Sequence, residues 1–133
     1  MPYGVDTHAQ LETAVEDAVR RGANAMFVDT SLAASAADQP PFHALARKHR
    51  LPAMHVYSNA IASGGFMFYG SRPGEVYRRA ASFVHRILAG GRPADMPVEQ
   101  PSSLHLILNL QAAREIGLEV PASVIAQADE VRR

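Results

Sequence analysis

The chain has 133 residues, and 47% of them are apolar, which is enough for one hydrophobic core, so we predict a single domain over residues 1–133. Its 13 basic and 13 acidic side chains give a formal net charge of zero at pH 7. That balance removes the long-range field used by nucleic-acid binders, and we predict no nucleic-acid partner. The absence of cysteine excludes disulfides, thiolate metal sites and a cysteine nucleophile.

The first half of the chain alternates helical patterns with short buried strands. A helix begins at the capping pattern Thr7–Gln10, carries apolar residues at helical spacing and ends at Gly22. The apolar run 25–28 then predicts a strand, Pro40 starts a second helix, and a second buried strand follows at 52–57. Two helix–strand units in succession predict parallel strands.

Strand and helix patterns also alternate in the second half, around a proline-rich segment. An aromatic-rich strand is predicted at 66–70, and the clearest amphipathic helix of the chain follows at 75–88. Three prolines keep the segment 92–103 out of helices and central strands, so we predict an extended segment that crosses between parts of the structure. The remaining predicted elements are a strand at 104–108, a helix at 110–116 capped by Asn109, and a helix at 121–128.

This order of elements predicts an α/β fold with three layers, in which helices cover both faces of a mostly parallel sheet. Ligands of such sheets bind beyond the carboxyl ends of the strands, where the strand order reverses. The polar residues that directly follow the predicted strands are therefore the first candidates for ligand contacts.

Six residues near the strand ends are the predicted ligand contacts: Asp29, Ser31, Ser58, Asn59, Gly65 and Tyr69. The Asp29 carboxylate can accept hydrogen bonds from a ligand ammonium group, while Ser31, Ser58 and Asn59 can donate to a carboxylate or carbonyl. Tyr69 can supply an aromatic wall, and Gly65 lets the backbone approach a ligand closely. The alternative is that the same residues serve the fold, because Asp, Ser and Asn favour caps and turns, glycine pairs mark tight turns, and tyrosines pack half-buried.

The sequence contains no recognisable catalytic or metal-binding pattern. Its six histidines are scattered and form no His-Glu-x-x-His pair or other metal-ligand spacing, so surface or core roles are predicted for them. The serines lack the context of a nucleophile elbow, and no two carboxylates are placed to divide acid and base work. We therefore predict neither an enzyme nor a metal or cofactor site.

Two stretches carry a family resemblance. One is 46–70, which ends in Ala62-Ser63-Gly64-Gly65-Phe66-Met67-Phe68-Tyr69-Gly70, and the other is the tail, where Pro93-Ala94-Asp95-Met96-Pro97-Val98-Glu99-Gln100-Pro101 is the most specific piece. Together they resemble the substrate-binding proteins of ABC transporters that are related to the tryptophan-binding component of Gram-positive bacteria. The resemblance runs from about Asp6 onward and covers only the C-terminal portion of family members.

The resemblance implies a lobe of a type I periplasmic binding protein, in which two α/β lobes close over a small organic solute such as an amino acid. In that arrangement helix 75–88 packs in the first lobe, segment 92–103 crosses between the lobes, and most other residues build the second lobe. Without the first lobe, we expect low affinity and a homodimer that buries the apolar side of helix 75–88. The family location is the periplasm or the outer face of the membrane, whereas the chain as written shows no export signal and is expected to be cytoplasmic.

Our leading hypothesis is therefore a solute-binding component of an ABC importer, or its isolated C-terminal lobe, with an ABC permease as its partner in transport. The alternative is a free-standing small-molecule sensor or regulatory domain with the same lobe architecture, which the absence of a DNA-binding segment disfavours. A small enzyme with a flavodoxin-like fold is the third hypothesis, and the sequence lacks the phosphate-binding loop that it requires.

Overall fold

The computed structural model describes residues 2–29, 33, 36–101 and 103–133. Its helices and strands are α1 (His8–Arg20), β1 (Met26–Val28), α2 (Pro40–His49), β2 (Ala53–His55), α3 (Asn59–Ala62), β3 (Met67–Gly70), α4 (Pro73–Leu88), β4 (His105–Asn109), α5 (Leu110–Glu115), α6 (Ala122–Ile125) and β5 (Glu130–Arg132). Two compact units contain them: Met1–Gly70 together with Leu106–Arg133, and Ser71–His105.

A five-stranded sheet with the order β1-β2-β3-β4-β5 organises the larger unit. The strands β1, β2 and β3 are parallel neighbours, in a register that sets Val28 beside His55 and His55 beside Phe68. The strands β4 and β5 are parallel to each other. The predicted α/β fold with a mostly parallel sheet is thereby confirmed.

One hydrogen bond shows how β4 is placed against β3. The backbone N–H of Asn109, the last residue of β4, donates to the carbonyl oxygen of Phe66, the residue before β3, at 2.8 Å. The carboxyl end of β4 therefore lies beside the amino end of β3, as it does in an antiparallel neighbour. Consequently the carboxyl ends of β1, β2 and β3 meet at one edge of the sheet, and that of β4 lies at the other.

Three clusters of buried apolar side chains hold the larger unit together. The cluster that packs α1 and α2 on β1 consists of Leu11, Val15, Val28, Ala33, Phe42, Leu45 and Leu51. The cluster that packs α5 on β4 consists of Phe66, Leu108, Ala112 and Ala113. The cluster that packs α3 on the sheet consists of Ile61, Phe68 and Ile107. The helices α1, α2 and α5 are thus fixed by the apolar faces that their sequences predict, because burial of such a face is the main source of a helix's stability.

The helix caps agree only in part with the sequence. Asn109 caps α5 as predicted, because its side-chain oxygen accepts hydrogen bonds from the N–H groups of Gln111 and Ala112, each at 3.1 Å. At the start of α1, the Gln10 side chain accepts from the N–H of Asp6 at 3.0 Å, but Thr7 makes no side-chain cap hydrogen bond. The Gln10 side chain thus reaches back to Asp6, one residue before the predicted cap, and not to Thr7.

The last elements differ from the prediction. The helix predicted at 121–128 is the single turn α6, and the strand β5 follows it. Asp129 directly precedes this strand: its N–H donates to the carbonyl oxygen of Leu106, and its carboxylate accepts from the N–H of Leu106, both at 2.9 Å. A three-residue strand whose two end residues are charged and exposed offers no apolar pattern, so the sequence alone does not indicate it.

The smaller unit consists of α4 and the segment 92–103, of which residue 102 is not described. Arg79 donates to the carboxylate of Glu99 at 3.1 Å and to the carbonyl oxygen of Gln100 at 2.9 Å, and Ser103 donates to the carboxylate of Glu75 at 2.5 Å. Apart from a short 3₁₀ turn at Pro93–Asp95, the described part of the segment has no regular secondary structure.

The apolar side chains of α4 are not covered within the described structure. The exposed ones are Val76, Tyr77, Val84, Ile87 and Leu88. None of the described residues of Ser71–His105 is buried, so this unit has no core of its own. The length and apolarity that a membrane-spanning helix needs are not combined in any described helix.

Candidate ligand-binding site

The carboxyl ends of β1, β2 and β3 form one edge of the sheet, which we call the rim. Asp29 follows β1, residues 56–59 follow β2, and Tyr69 lies one residue before the end of β3. Because Val28, His55 and Phe68 are lateral neighbours in the sheet, the residues that follow them reach the rim at the same level. Asp29, residues 56–59 and Tyr69 therefore lie along one rim.

Four of the six predicted contacts lie on this rim, at or near its surface. Asp29 is exposed, Ser58 and Asn59 are half-buried at the start of α3, and Tyr69 is 47% exposed. Tyr69 faces outward although its neighbour Phe68 is buried, because consecutive residues of a strand point to opposite faces of the sheet. Ser31 lies outside the described residues.

A serine at the start of a helix can cap that helix or can contact a ligand, and the hydrogen bonds of Ser58 bear on which of these roles it has. It occupies the N-cap position of α3, yet its side chain makes no capping hydrogen bond there. The capping function that favours serine at such positions therefore does not account for this side chain. A hydroxyl at the start of α3, on the rim, is suitably placed to meet a ligand.

Gly65 is explained by packing within the protein. It is buried, and a Cβ atom at this position would lie 2.8 Å from the carbonyl oxygen of Ala60 and 2.9 Å from Cε1 of His43. Both distances are shorter than side chains tolerate, so the backbone needs glycine here to pack against α2 and α3. The Gly64-Gly65 pair predicts that some group approaches the backbone closely, and the groups that do so at Gly65 belong to Ala60 and His43.

Behind the rim lies a pair of buried histidines. His55, the last residue of β2, is 1% exposed, and its ring meets the ring of His43 from α2 edge-on, with centroids 5.1 Å apart. The Nε2 atom of His43 lies 3.1 Å from Oγ of Ser63. Neither ring nitrogen of His55 has a hydrogen-bond partner among the described residues. The position of His55 inside the apolar run 52–57 is the sequence signal of its burial.

Both imidazoles are neutral at pH 7. Burial lowers the pKa of His55 to about 4, with a smaller contribution from His43. Burial also lowers the pKa of His43, helped by the nearby guanidinium of Arg47. A charge on either ring would be buried in the protein interior, where it would be poorly solvated, so the charged form is disfavoured.

A cavity of about 700 Å³ lies elsewhere in the larger unit, between residues 2–6, α1 and β1. Much of its lining belongs to the cluster that packs α1 and α2 on β1, including Leu11, Val15 and Phe42. Asp29 is the predicted contact that reaches it, and Ser58, Asn59 and Tyr69 do not. Because three of the four predicted contacts on the rim lie outside this cavity, we place the candidate site at the rim.

The described part of the rim offers hydrogen-bonding groups and an aromatic ring. Among the described residues, no three His, Asp or Glu side chains are grouped so that they can hold a metal ion. A carboxylate, a hydroxyl, an amide and a phenol at one edge can recognise a polar organic molecule through several hydrogen bonds at once.

Solved structures share this fold. A conserved domain protein from Vibrio cholerae superposes with a TM-score of 0.81 at 18% identity, over 96% of this chain and 43% of its own. A domain from Streptococcus pneumoniae in complex with L-Trp gives a TM-score of 0.80 at 20% identity, over 97% and 43%. A ligand-free, open substrate-binding protein with adhesive properties from Clostridium difficile gives 0.66 at 19% identity, over 99% and 43%.

This chain therefore spans less than half the length of these three structures. The search of curated proteins gave no match. A family model, however, matches residues 1–132, and its description is "ABC transporter substrate binding protein". Because that match covers almost every residue, the chain belongs to the family of ABC transporter substrate-binding proteins.

Proposed function

We propose that this chain binds a small organic solute, of the amino-acid class, at the rim and without chemical conversion, as part of an ABC importer. The observation that carries the proposal is the juxtaposition of Asp29, Ser58, Asn59 and Tyr69 at one sheet edge in a member of the substrate-binding family. A structural neighbour from Streptococcus pneumoniae that holds L-Trp supports the choice of solute class.

The chemistry of the rim suits both ends of an amino acid. The exposed carboxylate of Asp29 accepts hydrogen bonds from the ammonium group, and Ser58 and Asn59 donate to the carboxylate, together with Ser31. The half-exposed ring of Tyr69 packs against the side chain of the solute. Several contacts at the ends of neighbouring strands fix the orientation of a small molecule, which is how such sites obtain specificity.

We further propose that a second lobe completes this ligand-binding site. The chain spans 43% of the length of its structural neighbours, and Ser71–His105 has an exposed apolar helix face and no buried residue among those described. In the larger unit, Phe27 of the edge strand β1 is 58% exposed beside the 700 Å³ cavity. One lobe alone supplies only part of the contacts, so its affinity is low, and transport requires a permease at the outer face of the membrane.

The proposed contacts predict a specific loss of affinity in two variants. Asp29→Ala removes the acceptor for an ammonium group and Asn59→Ala removes an amide donor, so each variant is expected to bind roughly tenfold more weakly. Isothermal titration calorimetry with L-tryptophan, followed by the other amino acids, measures this loss. Glu16→Ala is the control. Glu16 lies on α1, and its carboxylate pairs with Lys48 of α2 at a distance of 3.0 Å. Unchanged affinity in both rim variants would remove them from the site.

We also propose that two copies of this chain associate through the apolar side of α4 when no second lobe covers that side. The exposed side chains Val84 and Ile87 lie on the apolar side of that helix, and burying them releases water from apolar surface. Light scattering at tens of micromolar is expected to give twice the 14.4 kDa chain mass. The double substitution Val84→Glu, Ile87→Glu should restore the monomer, whereas Ser82→Glu on the opposite side should not. A monomeric mass for the unaltered chain would refute the dimer.

A further inference from the structure

The helix α3 holds half of the candidate site, and it is only four residues long. Ser58 is its N-cap residue and Asn59 its first residue. A single helical turn has no stability of its own in water, because the nucleation cost is not repaid by so few hydrogen bonds. The place of Ser58 and Asn59 on the rim therefore depends on what anchors the turn to the rest of the larger unit.

One polar anchor is the hydrogen bond between Ser63 and His43. The Ser63 hydroxyl lies 3.1 Å from the carbonyl oxygen of Ala60 and 3.2 Å from that of Asn59, and it also lies 3.1 Å from Nε2 of His43. We assign its single proton to the carbonyl oxygens of the turn, and in this assignment Nε2 of His43 carries a hydrogen and donates to the hydroxyl. This bond joins the end of α3 to α2.

The surroundings of His43 leave its ring little freedom. Gly65 packs against it so closely that a Cβ atom there would lie 2.9 Å from Cε1, and the ring of His55 meets it edge-on. His43 is itself buried, at 3% exposure. A ring enclosed on several sides holds its hydrogen-bond partner in one place, which is the property that a positioning residue requires.

The charged groups around His43 favour its neutral form. Arg47 lies on the same helix, and its guanidinium lies 3.5 Å from the carboxylate of Glu115 on α5. The neighbours from β2 and α3 are His55, which is neutral, and Ser63, which is uncharged. The acid that lies near His43, Glu115, is thus already paired with a cation. The backbone of Ala60 favours the charged ring, but burial and the guanidinium of Arg47 oppose it, and the net result is a lowered pKa of His43.

We propose that His43 is a positioning residue of the ligand site: through Ser63, its imidazole holds α3 so that Ser58 and Asn59 face the solute. This inference rests on the proposed function for its consequence in binding. The anchoring itself is a property of the ligand-free protein and is testable without any solute.

The test compares Ser63→Ala with the unaltered chain and uses Ser82→Ala as the control. Ser82 also donates to a carbonyl oxygen of its own helix, at 2.8 Å from that of Arg79, but it lies in α4. Amide hydrogen exchange is expected to become several-fold faster at residues 58–63 in Ser63→Ala, with no change in β1 and β2. Exchange at 58–63 equal to that of the unaltered chain would overturn the inference.

Binding provides the second measurement, with L-tryptophan as the probe. If the unaltered chain binds it, Ser63→Ala and His43→Leu should bind roughly tenfold more weakly, while His43→Gln, which keeps an N–H donor, should stay within about twofold. Equal losses in His43→Gln and His43→Leu would overturn the positioning role. If the unaltered chain binds no amino acid, the proposed function fails. Amide exchange at residues 58–63 then decides whether His43 anchors α3: it should be faster in His43→Leu and unchanged in His43→Gln, and equal rates in these two variants would overturn the anchoring.

Discussion

Lowering the pH from 6.5 to 4 is expected to reduce the free energy of unfolding by roughly 3 kcal/mol more in this protein than in a variant without His55. The pKa of His55 is lowered from 6.5 to about 4 in the folded chain, so between these values the unfolded chain binds a proton that the folded chain does not. The contribution of the neutral ring is fully present above pH 6.5 and is lost as the pH falls toward 4.

Urea denaturation at a series of pH values between 7 and 4 measures this effect. His55→Leu keeps an apolar side chain of similar size and removes the titrating group, so its stability should depend less steeply on pH across this window. His85→Leu, which removes an exposed histidine from α4, should retain the pH dependence of the unaltered chain. Carboxylates such as Asp17 and Glu75 also have lowered pKa values, but they are present in every variant and cancel in the comparison. Parallel curves for His55→Leu and the unaltered chain would contradict a buried neutral His55.

Phe68→Ala is expected to destabilise the larger unit by about 3 to 5 kcal/mol. Phe68 is 1% exposed and packs between Ile61 of α3 and Ile107 of β4. Truncation removes the ring from the only described cluster that joins α3 to the sheet, and it leaves a cavity that these neighbours cannot fill.

The adjacent residue provides a matched control for that substitution. Tyr69→Ala removes a ring of similar size from the opposite face of the same strand, where 47% of the residue is exposed. Its cost in urea denaturation is expected to be no more than about 1 kcal/mol, because little apolar area is buried there. Similar costs for the two variants would show that Phe68 does not occupy a packed core.

Much of the sheet and its covering helices could be predicted from local patterns. The apolar runs at 25–28, 52–57, 66–70 and 104–108 correspond to β1 to β4, because short buried strands need continuous apolar sequence. The helices α1, α2 and α4 follow from apolar residues at helical spacing, and Asn109 was identifiable as a cap from its place between an apolar run and a helix. These signals are local, and so they can be read from one sequence.

Other features depend on contacts between distant residues. The strand β5 exists because Asp129 bonds to Leu106, 23 positions earlier, and nothing in the sequence near Asp129 indicates that partner. The contact of His43 with His55 and Ser63 brings together two helices and a strand, which residue spacing does not reveal. Gly65 was predicted as a ligand contact for its residue type, and only the packing of α2 and α3 shows why glycine is needed there.

The claim that the rim binds the solute is tested most directly by following backbone amide signals in NMR spectra while L-tryptophan and then the other amino acids are added. If the solute binds at the rim, the signals of Asp29, residues 56–59 and Tyr69 should shift together. Their shifts should follow one saturation curve, with the same Kd for each residue. Shifts confined to the residues around the cavity, such as Leu11, Ala14 and Ala18, or no shifts with any amino acid, would contradict the account.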